Sequence, residues 1–370
     1  MLKLRQQFER MHQLVLPFSV LVVLLIINLI KGADYFKITL INGVLYGNIP
    51  NILFGASELV ILSIGMTLVT AAARGQDISI GESGAISSAI FVQYVLRSGN
   101  VTIWTILAGL MISCAAGLVI GAFNGTLVSF FNVQPMVATL ILFLGGRSIA
   151  FIIDGKVSPI LANPISNQIG TVIPGVPIQT PIILTAVFIV IVAVILRTTN
   201  LRLYVEAVGV NPSAARLNGI NPKKVIFLTF LIMGVCSAVA GFIAVNKAGR
   251  HDSVNLLKFI MMDAILAVAL GGNSLAGGKF SITGSILGAY TIEVLNRTLL
   301  RLEVNPEAIK AFKAVFIIIL MIIASPVVRD SGRRILDKLK ASIAGPAARQ
   351  RSGLPQAAAP FTDRTVQKEE

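Results

Sequence analysis

Ten apolar runs of spanning or near-spanning length restrict the fold of this chain more than any other feature. A helix of about 20 predominantly apolar residues crosses the hydrocarbon core of a bilayer. Two of the runs, 78–97 and 259–271, are short or interrupted by polar residues. The runs predict an all-α polytopic membrane protein with about ten transmembrane helices, some of them broken or short near the centre; they cover residues 14–30, 53–73, 78–97, 102–131, 133–153, 180–197, 225–246, 259–271, 281–300 and 311–328.

The composition excludes most other classes of protein. Of 370 residues, 55% are hydrophobic and only 13% are charged, whereas a soluble domain carries about 25% charged residues. The net charge of +14 would suggest a nucleic-acid partner in a soluble protein, but cytoplasmic loops of membrane proteins also collect Lys and Arg. We therefore predict no nucleic-acid partner. The only cysteines and histidines are too dispersed to predict a metal site: Cys114, Cys236, His12 and His251.

The distribution of basic residues predicts the orientation. Ten crossings place both termini on one side, and 19 basic residues then fall on the side of the N-terminus against 11 on the other. Without the four most distal basic residues the ratio is 15 to 11. Since positive residues favour the cytoplasmic side, we expect both termini in the cytoplasm, loop 154–179 outside and loop 198–224 inside. Residues 1–330 form the predicted transmembrane domain, and 331–370 a basic, disordered cytoplasmic tail.

A first polar break lies between two apolar runs, at residues 75–84. It contains three glycines together with Gln76, Asp77, Ser79 and Glu82. Carboxylates at the edge of a membrane segment avoid lipid, and irregular backbone at this depth is tolerated only in a cavity or under protein. The break is either a polar kink that lines a translocation path or a short cytoplasmic turn in which Asp77 caps the next helix.

A second break of similar character occupies residues 271–279. It resembles a phosphate-binding loop, but Asn273 stands where that motif needs glycine, and Phe280 stands where it needs serine or threonine. The sequence therefore predicts no nucleotide site, no catalytic residue and no enzyme, and the break is interpreted as a tight turn beside a cavity. The predicted translocation-path residues are Gln76, Asp77, Ser79, Glu82, Asn124, Asn273 and Ser274.

The polar segment 204–224 predicts a short helix outside the membrane spans. Asn211-Pro212 is typical of a helix start, Asn218-Gly219 is typical of a stop, and Asn221-Pro222 begins the next helix. Its small and apolar face favours docking on a partner protein, because a helix resting on lipid needs a larger apolar face. The predicted docking residues are Asn211, Pro212, Ser213, Ala214, Ala215, Arg216, Leu217, Asn218 and Gly219.

Four stretches together resemble the membrane permease of bacterial ATP-binding-cassette (ABC) importers for monosaccharides, the ribose/arabinose/galactose class related to branched-chain amino-acid permeases. The chain departs from that family's pattern at Gln76, where the family has a hydrophobic residue, and at Glu82, where it has a small one. The matching stretches are GMTLVTAAARGQDISIGESGAISSA (65–89), NVQPMVATLILFLGGRSIAF (132–151), EAVGVNPSAARLNGINPKKV (206–225) and DAILAVALGGNSLAGGKFSITGSILGA (263–289).

The resemblance implies a permease in the bacterial inner membrane, surrounded by lipid, that pairs with a second permease subunit. It also implies two cytoplasmic ATPase subunits, which bind ATP and magnesium while this chain binds no cofactor, and a periplasmic sugar-binding protein. The family's coupling helix, which docks on the ATPase, maps onto Asn211 to Gly219.

Two functional hypotheses follow. The first is the membrane subunit of an ABC importer that moves a monosaccharide into the cytoplasm, with ATP hydrolysed by separate subunits. The alternative is a secondary transporter of a small polar solute, driven by an ion gradient, in which Asp77, Glu82 and Asp263 are proton or sodium sites.

Overall fold

A computed structural model describes residues 2–315 except 42, 306, 307 and 310. Most of the predicted span 311–328 and the whole predicted tail 331–370 lie outside the described residues. The described chain is mostly helical, but it also contains an antiparallel hairpin of β1 (Thr39–Ile41) and β2 (Val44–Tyr46), which the all-α prediction did not include. The helices are α1 (Leu2–Lys31), α2 (Asn48–Gly55), α3 (Ser57–Ala73), α4 (Ile80–Arg97), α5 (Ile103–Ser129), α6 (Pro135–Ile153), α7 (Pro164–Gly170), α8 (Thr180–Thr198), α9 (Leu201–Val210), α10 (Pro212–Leu217), α11 (Pro222–Ala248), α12 (Ile260–Leu270) and α13 (Ile282–Arg301), with a 3₁₀ turn at Ala33–Phe36.

The number of candidate spans is smaller than the predicted ten. In the part of the chain that the structure describes, α5, α6, α8 and α11 are long and apolar enough to cross a membrane. The pair α2 and α3, bent by 44°, qualifies as a fifth span if counted together. Helix α12 is too short to cross alone, because its 11 residues rise only about 16 Å. A multi-pass membrane protein is thus supported, but ten crossings are not confirmed.

The distribution of side chains is the reverse of that in a soluble protein. Helices α5, α6 and α8 expose large apolar side chains, such as Val119 (70% exposed) and Leu144 (72% exposed). In contrast, α4 buries Glu82, Ser83, Ser87 and Ser88, and it is covered by α5, α6 and α11. Lipid tolerates the apolar exterior, whereas polar groups need protein around them. The polar helix α4 can therefore lie inside the bundle without being apolar itself.

Three glycines spaced four residues apart let α5 and α11 touch. A Cβ on Gly117 would meet the carbonyl oxygen of Gly234, and one on Gly121 would meet that of Phe230. Gly125 faces the Phe230 and Phe227 side chains. Small residues at this spacing allow close backbone approach in membrane bundles. At this crossing, α11 packs directly against α5.

The bundle has two ends. The segments 154–179 and 199–221 lie at opposite ends, because the single helix α8 connects one to the other. We call "first end" the end that holds the loops 74–79, 199–221 and 271–281. The hairpin of β1 and β2 and the segment 154–179, which includes α7, lie at the second end. There the Leu45 amide donates to the Pro177 carbonyl and the Leu161 amide donates to the Gly249 carbonyl, both at 2.9 Å. As predicted, the segments 154–179 and 198–224 therefore lie at opposite ends of the bundle.

The link between α11 and α12 turns back into the bundle. Residues 249–259, here called the re-entrant loop, contain no helix and pass along α4. His251 Nε2 lies 3.0 Å from Ser88 Oγ, and further on, Leu257 covers Gly84 and Gly81. Gly84 is 13 residues from the α4 terminus Arg97, or about 20 Å of helix rise. Helix α12 therefore starts inside the bundle and ends at the second polar break.

Candidate translocation and docking site

Three of the predicted translocation-path residues form one buried cluster at the start of α4. The Asp77 carboxylate accepts hydrogen bonds from the Ser79 amide (2.8 Å) and hydroxyl (2.7 Å). Asn124 of α5 donates to the Ser79 hydroxyl oxygen at 3.0 Å. Asp77 thus binds Ser79, which precedes the helix, and no side chain caps the first-turn amides of α4. The interpretation of Asp77 as a helix cap is wrong, because its carboxylate is engaged one position too early.

Glu82 is held separately, by an arginine that sequence reasoning left unassigned. Arg147 Nε of α6 donates to Glu82 Oε1 at 3.1 Å. Its Nη1 donates to the carbonyl oxygens of Ser253, Val254 and Leu256 at 3.0–3.1 Å. Arg147 therefore compensates a buried carboxylate and satisfies main-chain oxygens of the re-entrant loop, which forms turns and no regular helix. The available signal was a single cation inside the apolar run 133–153.

The second polar break is a turn that Asn273 holds together through hydrogen bonds to α12 and to Ser281 and Ser285. The Asn273 amide donates to the Ser285 hydroxyl (2.8 Å) and to the Val268 carbonyl (3.1 Å), and its oxygen accepts from the Ser281 amide (2.6 Å). Ser274 is exposed at the first end and accepts from the Ala276 amide. Asn273 thus stabilises the joint between α12 and α13.

The two breaks lie against each other. Gln76 Nε2 donates to the Leu275 carbonyl at 3.2 Å, and the Gly278 amide donates to the Ala71 carbonyl at 3.0 Å. Deeper in the bundle, Thr67 Oγ1 lies 2.6 Å from Ser285 Oγ. The first break and the end of α3 are therefore in direct contact with the second break and α13.

The predicted short helix is present as α10, with the predicted ends. Asn211 Oδ1 accepts from the amides of Ser213 (3.0 Å) and Ala214 (3.1 Å), and Gly219 follows the helix with φ = 79°. Ala215 is buried in a core cluster that includes Val205 and Val208 of α9. The rest of the predicted docking segment is largely exposed, and Leu217 is 91% exposed.

Arg74 connects the end of α9, which leads into α10, to the second break, a role that the sequence did not reveal. It ends α3 in the left-handed conformation (φ = 56°), and its Nε donates to the Gly209 carbonyl at 2.8 Å. Its Nη2 donates to the Val210 carbonyl at 2.6 Å, directly before the α10 cap Asn211. Its side chain also lies against Gly277 of the second break. From sequence, Arg74 is only one of many basic loop residues.

A buried Ser–His–Asp arrangement lies toward the second end. Ser88 Oγ is 3.0 Å from His251 Nε2, and His251 Nδ1 is 2.6 Å from Asp154 Oδ2. These atoms follow the order of a hydrolase triad, but His251 and Ser88 are both 0% exposed and the Ser88 hydroxyl is directed at the Gly84 carbonyl (2.7 Å). The arrangement joins the re-entrant loop to α4 and α6, and it offers no substrate a nucleophile.

The fold and these contacts define a multi-pass membrane protein with a polar interior, and comparison with known proteins gives its family. The chain belongs to the family described as branched-chain amino acid transport system / permease component, which matches residues 48–325. The predicted resemblance is thereby confirmed. The chain is a transporter subunit and not an enzyme in the usual sense.

Several of its relatives are named as sugar permeases. The chain is 36% identical to the fructose import permease protein FruF of Bifidobacterium longum over 293 residues, 78% of this chain and 80% of the relative. It is 33% identical to the galactofuranose transporter permease protein YtfT of Escherichia coli, over 82% of this chain and 87% of the relative. The ribose import permease protein RbsC of Escherichia coli is 32% identical, over 75% and 85%. No solved structure matches the chain.

Proposed function

We propose that the chain is the membrane subunit of an ABC importer that carries a monosaccharide into the cytoplasm. The relatives described as fructose, galactofuranose and ribose permeases support a small sugar as cargo. ATP and magnesium bind to separate ATPase subunits, because the second break lacks the glycine and hydroxyl residues of a phosphate-binding loop. A second permease subunit and a periplasmic sugar-binding protein complete the complex.

In this proposal the first end faces the cytoplasm, together with both termini, and the second end faces the periplasm. The chain crosses the inner membrane ten times, with polar α4 and half-length α12 shielded by the other helices. The exposed part of α10 docks on the ATPase, where Leu217 enters an apolar socket.

The observation that carries the proposal is the bridge from Arg74 to Gly209 and Val210. Closure of the ATPases displaces α10, and the bridge passes that displacement to α3 and the second break. The contact between Gln76 and Leu275 then engages the first break and the start of α4. Such a chain of packed elements can switch a pair of permeases between inward-facing and outward-facing states.

The ion-driven alternative has less support. Two of its three carboxylates are already paired with cations: Glu82 with Arg147 at 3.1 Å, and Asp263 with Lys313 at 2.8 Å. A carboxylate that binds and releases a coupling ion has to be free of such a fixed partner during the cycle.

Reconstitution tests the proposal. Proteoliposomes that contain the chain with its ATPase and binding protein are expected to transport D-fructose, D-ribose or D-galactose only when ATP is supplied on the cytoplasmic side of the membrane. Uptake by the chain alone, or uptake abolished by collapsing the membrane potential while ATP is supplied, contradicts it.

A further inference from the structure

The re-entrant loop has an unusual backbone for a segment inside a membrane bundle. Leu257 and Phe259 both adopt the left-handed conformation, with φ = 54° and 63°. Neither is glycine or asparagine, and such residues rarely hold this conformation unless the surrounding structure imposes it. Backbone strain of this kind clusters at functional sites. The loop is thus held in one shape by its neighbours.

Its buried face supplies that restraint. His251, Ser253 and Leu256 are buried, and the Asp154 carboxylate accepts from both His251 and Ser253. Arg147 also donates to three of the loop's carbonyl oxygens. In the same place, Glu82 Oε2 and Arg147 Nη2 are buried without a hydrogen-bond partner. One face of the loop is therefore held by several hydrogen bonds, while one acceptor of Glu82 and one donor nitrogen of Arg147 remain unused.

The exposed residues of the loop are mainly polar, with Val254 (52% exposed) as an apolar exception. Asn255 and Lys258 are exposed, Asp252 is half-exposed, and Phe259 is 39% exposed. The Asn255 amide donates to the Asp252 carboxylate at 2.9 Å, which fixes the two side chains relative to each other. Lys258 Nζ lies 5.6 Å from the centre of the Phe259 ring.

The exposed face of the re-entrant loop cannot lie against lipid. The loop passes along α4 to Gly84, well inside the bundle, and polar side chains and irregular backbone at that depth occur only beside water or protein. By contrast, Leu144, one turn before Arg147 on α6, presents an apolar side chain that is 72% exposed, as a lipid contact would. The two surfaces lie on neighbouring elements yet suit opposite surroundings.

We propose that the exposed face of the re-entrant loop, formed by Asp252, Asn255, Lys258 and Phe259, lines the path of the monosaccharide. The carboxylate, amide and ammonium groups suit adjacent sugar hydroxyls, which both donate and accept, and the Phe259 ring suits an apolar sugar face. The inference rests on the proposed sugar transport. It moves the main sugar contacts from the two polar breaks, where Asp77 and Asn273 are engaged in the structure, to a loop that the sequence did not single out.

Thiol accessibility tests this placement. The chain is reconstituted with its ATPase and binding protein after Cys114→Ala and Cys236→Ala, and then carries either Asn255→Cys or Leu144→Cys as the matched control. A charged methanethiosulfonate reagent is expected to modify the Asn255→Cys chain at least about tenfold faster than the Leu144→Cys chain, because water reaches only the former. Uptake assays first show which of D-fructose, D-ribose and D-galactose is transported. That sugar is expected to slow the modification several-fold, whereas a sugar that is not taken up is expected to leave the rate unchanged.

The outcomes separate this inference from the proposed function. If ATP-driven uptake occurs but Asn255→Cys is unreactive, as in a tight subunit interface, or reacts equally with and without the transported sugar, the loop does not line the path and the importer function stands. If no sugar is taken up with ATP in the complete complex, the proposed function fails, and this inference fails with it.

Discussion

Arg74 Nε lies 2.8 Å from the carbonyl oxygen of Gly209, and this contact joins the end of α3 to the residues that lead into α10. The same guanidinium bonds Val210, so two main-chain oxygens are held by one fork of donors. Lysine has no such fork, because its ammonium is a single point charge on a flexible stem. The geometry therefore depends on arginine and not on positive charge alone.

We expect Arg74→Ala to uncouple the transporter. Because Arg74 is exposed to solvent, its two hydrogen bonds contribute only about 1 kcal/mol each, so the complex still folds and assembles. The ratio of sugar taken up to ATP hydrolysed is expected to fall several-fold, up to about tenfold. Arg74→Lys is expected to restore this ratio only partly. The control is Arg97→Ala at the other end of the bundle. An unchanged uptake-to-ATP ratio in Arg74→Ala would show that the contact transmits nothing.

Gly219 gives a second prediction, on the end of α10. Its φ of 79° is unfavourable for a side chain, yet a Cβ there would meet nothing within 4 Å, so any effect comes from backbone strain alone. Gly219→Val is expected to raise the free energy of the docked conformation by about 1–3 kcal/mol and to reduce ATPase stimulation and uptake together. Gly219→Asn is the control, since asparagine tolerates the left-handed conformation. Normal stimulation in Gly219→Val contradicts the importance of this stop.

Leu217 gives a third prediction, on assembly. A leucine that is 91% exposed on a short polar helix is a candidate anchor for a partner socket. Leu217→Asp is expected to weaken ATPase binding by about 1–3 kcal/mol, or roughly five- to 150-fold in Kd, measured by binding of the ATPase to nanodisc-embedded permease. Leu217→Met, which keeps the apolar surface, is expected to bind as before. Equal binding by the Asp and Met variants would place the docking surface elsewhere.

Arg147 gives a fourth prediction, on stability. Arg147→Met leaves the buried Glu82 carboxylate unpaired and three loop carbonyls without their donor, so the loss is expected to reach about 3–5 kcal/mol. Adding Glu82→Gln removes the unpaired charge and is expected to recover part of that loss. Thermal unfolding of the detergent-solubilised chain measures both variants. If the double variant is no more stable than Arg147→Met, the ion pair is not what Arg147 supports.

Sequence reasoning succeeded where the physics is local. The ends of α10 follow from Asn211 and Gly219, whose roles depend on neighbouring residues only. The apolar helices α5, α6 and α8 follow from hydropathy, because their lipid-facing surfaces are set by composition.

It failed where a residue's role depends on partners far along the chain. Arg147 meets a loop more than a hundred residues later, and Arg74 meets α9 at a similar separation. The apolar run 259–271 was predicted as a crossing, and nothing within it indicates that the preceding residues turn back into the bundle. Likewise, no local pattern distinguishes Asn273, which stabilises a turn, from an amide that contacts cargo.

The polar interior of α4 also bears on how the protein is made. A segment with buried Glu82, Ser83, Ser87 and Ser88 gains little from partitioning into hydrocarbon alone. Its cover comes from α5 and α6, which follow at once, and from α11, which the ribosome completes only at Ala248. Until then the polar side chains of α4 lack part of their protein cover, so we expect stable residence of this helix in the bilayer to be an outcome of tertiary assembly.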